Sequence, residues 1–165
     1  MKAFLIVCAV LFVSLLPQHA SAQAISGLDT SIPAWSPSER HTAGILSDIT
    51  VTASIAFDAW KSWRAAHRQH AFLKQAERDA VILGSAALTK GLVHRKRPDG
   101  SDRKSFFSEH TAFAAAALGG SAGREFAITI PLTVGTGYFR IAADKHYLTD
   151  TLAGAIVGGL AGLIR

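Results

Sequence analysis

The chain has 165 residues, enough for one domain, with a formal net charge of +5 and a pI of about 9.7. A basic balance suits an anionic partner such as a phosphate ester, an anionic lipid or nucleic acid. The single cysteine, Cys8, lies in an apolar leader, so the mature chain is expected to carry no disulfide, no thiolate metal site and no cysteine nucleophile.

Met1-Lys2 is a short basic start, Ala3 to Leu16 is an almost unbroken apolar run, and Ala20-Ser21-Ala22 ends in small residues. This pattern predicts a signal peptide over residues 1–22 with cleavage after Ala22, the alternative being an uncleaved anchor. The protein is then expected at the periplasmic face of the inner membrane or in the soluble periplasm, where nucleic acid is not an expected partner. Residues 23–41, with Pro33 and Pro37, read as an irregular arm. Residues 42–165 read as an all-α domain, a helical bundle of about five helices, since no strand-like alternation bounded by hairpin signals occurs. The helices are expected over about Ala43 to Trp60, Glu77 to His94, Ser108 to Gly119-Gly120, Glu125 to Ala142 and Asp150 to Ile164. A basic connector from Lys61 to Arg78 separates the first two, and Pro131 is expected to kink the fourth.

Membrane spans are supported by position and opposed by hydropathy. The basic connector and Arg165 would both face the cytoplasm if the N-terminus were exported and five spans alternated. Asp48, Asp58, Lys90 and Arg140 interrupt the helices, and few stretches reach the roughly 18 apolar residues that a span requires. The balance leans toward a membrane-embedded or membrane-associated bundle.

Three segments carry chemistry. In the first, Lys90 and Arg97 are seven apart, about two helical turns, so two cations can converge on an anion near a helix end. In the second, Ser108 is a natural N-cap, and the open N–H groups of such a helix start attract an anion beside His110. In the third, His146 and Asp150 are four apart. With helical geometry the carboxylate accepts from one imidazole nitrogen and leaves the other free to attack. Each segment alone also has an ordinary reading: a solvated basic loop, a capped helix with a surface histidine, a helix-start aspartate near another. His67 and His70 are three apart and fit a metal less well than an exposed helical surface.

Read in order, the segments resemble the type 2 phosphatidic acid phosphatase superfamily, which also contains bacterial acid phosphatases and vanadium haloperoxidases. Lys90, Arg97 and Pro98 match the family's K-x6-R-P. Ser108 and His110 match P-S-G-H. Arg140, His146 and Asp150 match S-R-x5-H-x3-D. The resemblance covers about Lys90 to Gly159 and implies an active site at helix ends on one side of the bundle. It implies that His146 attacks phosphorus to form a phosphohistidine, that Asp150 orients His146, and that His110 protonates the leaving alkoxide and then activates water. Lys90, Arg97, Arg140, Ser108 and the backbone N–H of Glu109 are implied to bind the phosphoryl oxygens, with no metal and no cofactor. The implied partner is a phosphorylated lipid or a small phosphate ester. Two alternatives share the pocket: a degenerate member that binds phospholipid headgroups without turnover, and a vanadate-dependent haloperoxidase. The chain departs from the pattern at Phe107, Phe139 and Glu109, where the family has Pro, Ser and Gly. The Glu109 carboxylate is expected to turn away from phosphate or to pair with Arg103 or Lys104.

Overall fold

The computed structural model describes residues 35–164; the expected signal peptide and most of the expected arm lie outside the described residues. Within them the chain is all-α, as expected. The elements are α1 (Pro37–Arg64), α2 (Arg68–Val93), α3 (Glu109–Gly119), a 3-10 turn (Gly123–Glu125), α4 (Phe126–Ala142) and α5 (Leu148–Ala161).

Two boundaries differ from expectation. α1 starts at Pro37, inside the stretch read as irregular. Ser36 Oγ accepts from Glu39 N at 3.3 Å and Glu39 Oε2 accepts from Ser36 N at 2.7 Å, a reciprocal cap. Pro37 stands at the first helical position, where a missing N–H costs nothing. The basic connector is likewise mostly helix, because α2 begins at Arg68. Lysine and arginine are good helix formers, and their charge marks exposure rather than a break.

Interhelical contacts fix the directions. Arg40 Nη1 pairs with Asp144 Oδ2 at 2.8 Å at one end of α1, and Lys61 Nζ reaches the Ala117 carbonyl at 3.3 Å at the other. Asp58 Oδ2 holds Arg78 Nη2 at 2.5 Å, and Ser62 Oγ donates to Gln75 Oε1 at 3.2 Å, so α2 returns antiparallel to α1. α3 and α5 run parallel in close contact: Gly154, Gly158 and Gly162 lie against the carbonyls of Ser108, Ala112 and Ala116. A Cβ on Gly158 would overlap the Ala112 carbonyl. This packing brings the starts of α3 and α5, the ends of α2 and α4, and the first half of α1 to one side of the bundle.

The interior is built from small residues. Ala112, Ala114, Ala115, Ala116 and Ala117 of α3 are buried. Buried hydroxyls such as Thr89 and Thr133 donate back to carbonyls of their own helices, which removes the cost of burying them. Large apolar side chains point outward instead, among them Ile49, Trp63, Leu73, Val134 and Ile156. No helix among the described residues is long and apolar enough to cross a membrane. Phe107 is an exception to the small core and is fully buried in it, while Phe139 packs against Ala43, Ala142 and Ala143. Both departures from the family pattern are thus used for packing.

Candidate active site

His146 lies in the turn between α4 and α5 and is only 2% exposed. The turn is drawn back onto α4 by its own backbone: the Arg140 carbonyl accepts from Lys145 N at 3.1 Å and from His146 N at 3.3 Å. His146 Nδ1 stands 2.6 Å from the Ser105 carbonyl oxygen. A carbonyl can only accept, so Nδ1 carries the proton and Nε2 keeps its lone pair. Burial depresses the His146 pKa to about 2, with Arg140, Arg97 and Lys90 pressing the same way. The imidazole is neutral at any ordinary pH.

Asp150 does not take the hydrogen bond expected of it. Its Oδ2 is 3.9 Å from His146 Nδ1, too far for a direct bond. The reason is that α5 starts at Leu148 with Tyr147 as its cap, so His146 precedes the helix and the four-residue spacing is not helical. Ser105 links the two residues instead: its carbonyl accepts from His146 and its hydroxyl donates to Asp150 Oδ2. Asp150 is fully buried and also accepts from Arg95 Nη1 at 2.6 Å and from Tyr147 N at 3.1 Å. Burial raises its pKa, against the pull of Arg95 and Ser105. Arg95 lies over the Tyr147 ring, 4.1 Å from its centroid.

The cations converge from three segments. α2 ends at Val93 and His94 is left-handed (φ 44°), so Lys90 and Arg97 do not share a helix face as expected. The loop folds Arg97 back: Asp102 Oδ1 accepts from its Nε at 2.8 Å and the Lys145 carbonyl from its Nη1 at 3.1 Å. Asp99 is tied to the same turn by Lys145 Nζ at 2.7 Å. Its burial opposes ionisation, but that bond and the Ser101 N–H hold its pKa at about 2. Arg140 is 9% exposed, forms no ion pair among the described residues, and its buried Nε has no hydrogen-bond partner there. Burial and then the neighbouring Arg97 lower its pKa to about 10.

At the start of α3, Ser108 is the expected N-cap. It is fully buried, with its Oγ accepting from Thr111 N at 3.4 Å and from Thr111 Oγ1 at 3.0 Å. The Glu109 carboxylate pairs with Lys90 Nζ, not with Arg103 or Lys104. Lys90 is closer because α2 ends beside the first turn of α3. His110 Nε2 sits 3.0 Å from Asp48 Oδ1 of α1. Burial and Arg140 push the His110 pKa down, opposed by Asp48 and Glu109.

All eight expected residues therefore lie around one end of the bundle. Asp48, Arg95 and Ser105 were not foreseen. Ser105 reaches His146 through a backbone carbonyl that any residue supplies, and its hydroxyl on Asp150 falls outside the three motifs. Arg95 is hidden in the run Arg95-Lys96-Arg97. Asp48 lies far from the three segments in sequence, and its one signal is an acid within the apolar stretch 43–57 of α1.

No curated protein and no solved structure matched the chain. A family model described as the PAP2 superfamily matches residues 72–165, more than half of the chain. That match takes in α3, α4, α5 and nearly all of α2, and with them every expected site residue, while Asp48 and α1 lie outside it. On a match of that extent the chain belongs to the PAP2 superfamily, whose activity is of the phosphatase type.

Proposed function

We propose that the protein is a phosphatase that transfers a phosphoryl group from its ester to His146 Nε2 and then to water, without a metal. The observation that carries this reading is Arg140, a buried guanidinium with an unpartnered Nε, beside Arg97 and a neutral, buried imidazole. A buried cation without a carboxylate is costly unless an anion joins it. A phosphoryl group meets that need, and its oxygens match the guanidinium fork.

In the first step His146 Nε2 forms a bond to phosphorus as the ester P–O bond breaks. His110, as imidazolium, gives its proton to the departing oxygen. In the second step His110 takes a proton from water, the water oxygen bonds to phosphorus, and the P–N bond breaks. Lys90, Arg97, Arg140, Ser108 and the Glu109 N–H stabilise the charge that shifts onto the phosphoryl oxygens. Asp150 acts on His146 through Ser105. The substrate is a lipid phosphate or pyrophosphate reached at the exported side of a bilayer. The exposed Ile49, Trp63, Leu73, Val134 and Ile156 support contact with lipid. Replacing His146 with Ala is expected to abolish release of phosphate from a generic ester; undiminished release would rule the reading out.

The Lys90–Glu109 pair favours a second reading, a degenerate member that binds phosphate headgroups without turnover. Tight binding of a phosphate ester with no release, and release restored by Glu109→Gln, would support it.

A further inference from the structure

We infer that Asp48 of α1 is a positioning residue for His110, holding its Nε2–H so that Nδ1 is the nitrogen that exchanges protons with the leaving group and with water. The inference rests on the phosphatase reading and adds to it a residue that lies outside the family match.

The geometry is direct. Asp48 Oδ1 is 3.0 Å from His110 Nε2, and the contact joins residues 62 apart in sequence. α1 is held against α4 at this level by Thr136 Oγ1, which donates to Thr50 Oγ1 at 2.9 Å, and by Arg40 with Asp144. The Asp48 side chain is 66% exposed and, among the described residues, bonds only His110. An ionised carboxylate can only accept, so it selects the imidazole tautomer with the proton on Nε2 and favours the imidazolium over the neutral ring.

The charged groups facing His110 come from three helices. Asp48 on α1 and Glu109 on α3 favour its protonated form, and Arg140 on α4 disfavours it. Glu109 is already paired with Lys90. Asp48 is therefore the carboxylate that offsets burial and Arg140, and without it the ring loses its proton at lower pH. The proton count closes on this arrangement. Nδ1–H goes to the leaving oxygen as the P–O bond breaks, the ring stays neutral with Nε2–H on Asp48, and Nδ1 recovers a proton from the attacking water.

The test compares the full-length wild type with Asp48→Asn, which keeps the size of an exposed side chain. Two esters are used, an alkyl phosphate whose alkoxide must be protonated to leave and p-nitrophenyl phosphate whose phenolate need not be. At mildly alkaline pH, kcat on the alkyl ester is expected to fall by roughly tenfold, a part of what a general acid contributes. The change in KM and the loss on the nitrophenyl ester should be small, and the descending limb of the pH profile should move to lower pH. The His110 imidazole is also titrated by NMR in both proteins, and its pKa is expected to drop in Asp48→Asn. Equal losses on both esters with an unmoved limb, or an unchanged His110 titration, would overturn the assignment. Failure of the phosphatase reading looks different: no release by the wild type, with the NMR titration still deciding whether Asp48 governs His110.

Discussion

Lys90 is held by the carboxylate of Glu109, which competes with a phosphoryl group for the same ammonium. Both side chains are partly exposed, so the pair is of modest strength and a substrate can displace it. Glu109→Gln removes the competitor and keeps the backbone N–H at the helix start. It is expected to raise kcat/KM by up to about fivefold, the scale of a partly exposed ion pair, through a lower KM. Steady-state kinetics on a soluble phosphate ester read this, and an unchanged KM would show that Glu109 does not compete with substrate. At this scale order and spacing were enough to pick out Lys90, Arg97, Arg140 and His110 as residues that the fold gathers at one end, although not the loop by which Arg97 comes back toward Lys90. The sequence was silent on the backbone outside helix starts. The bond that fixes the His146 tautomer comes from the Ser105 carbonyl, and it displaced the expected bond to Asp150. The same buried imidazole shapes the pH profile. A bell with both limbs from the two histidines is not expected, because His146 stays neutral down to about pH 2 in the free protein. His110 alone supplies the descending limb of kcat/KM, below its ordinary pKa.

Helices α3 and α5 hold the two halves of the site, and glycine lets them touch. Gly158 faces the Ala112 carbonyl with no room for a Cβ, while its neighbour Gly159 has nothing within 4 Å. Gly158→Ala is expected to destabilise by about 1–3 kcal/mol, the cost of overpacking. It should also separate Ser108 and His110 from His146 and reduce turnover. Gly159→Ala is expected to stabilise by about 0.5–1 kcal/mol, because alanine favours an open helical position over glycine. Thermal denaturation of the two variants reads both, and equal melting temperatures would contradict the contact. Helix existence was legible from apolar runs and caps, as at Ser108. Two boundaries were not. Pro37 read as a breaker although it opens α1, and the charges from Lys61 to Arg78 read as a loop although most belong to α2. At Pro37 the composition was read without the Ser36–Glu39 cap that decides it, and from Lys61 to Arg78 charge was read as a break although lysine and arginine are good helix formers.

The whole molecule keeps its polar chemistry at two ends and its large apolar side chains on the outside between them. One end gathers Lys90, Arg97, Arg140, His110 and His146. The other holds the buried Asp58–Arg78 pair with Lys61, which is 3.2 Å from Asp58 and 3.8 Å from Glu125. The all-α bundle and the gathering of the site at one side could be read in advance, because three motifs fell at helix ends. The contribution of α1 could not, since Asp48 matches no pattern and gains its partner only when α1 packs across the starts and ends of its neighbours. The central claim concerns the phosphorus–nitrogen bond at His146. The direct measurement is a rapid alkaline quench of the enzyme during turnover, followed by mass spectrometry of the intact chain and its peptides. One acid-labile phosphate on His146, formed and consumed at the rate of turnover, is the expected result. Full turnover with His146 unmodified, or with phosphate trapped on His110 instead, would contradict it.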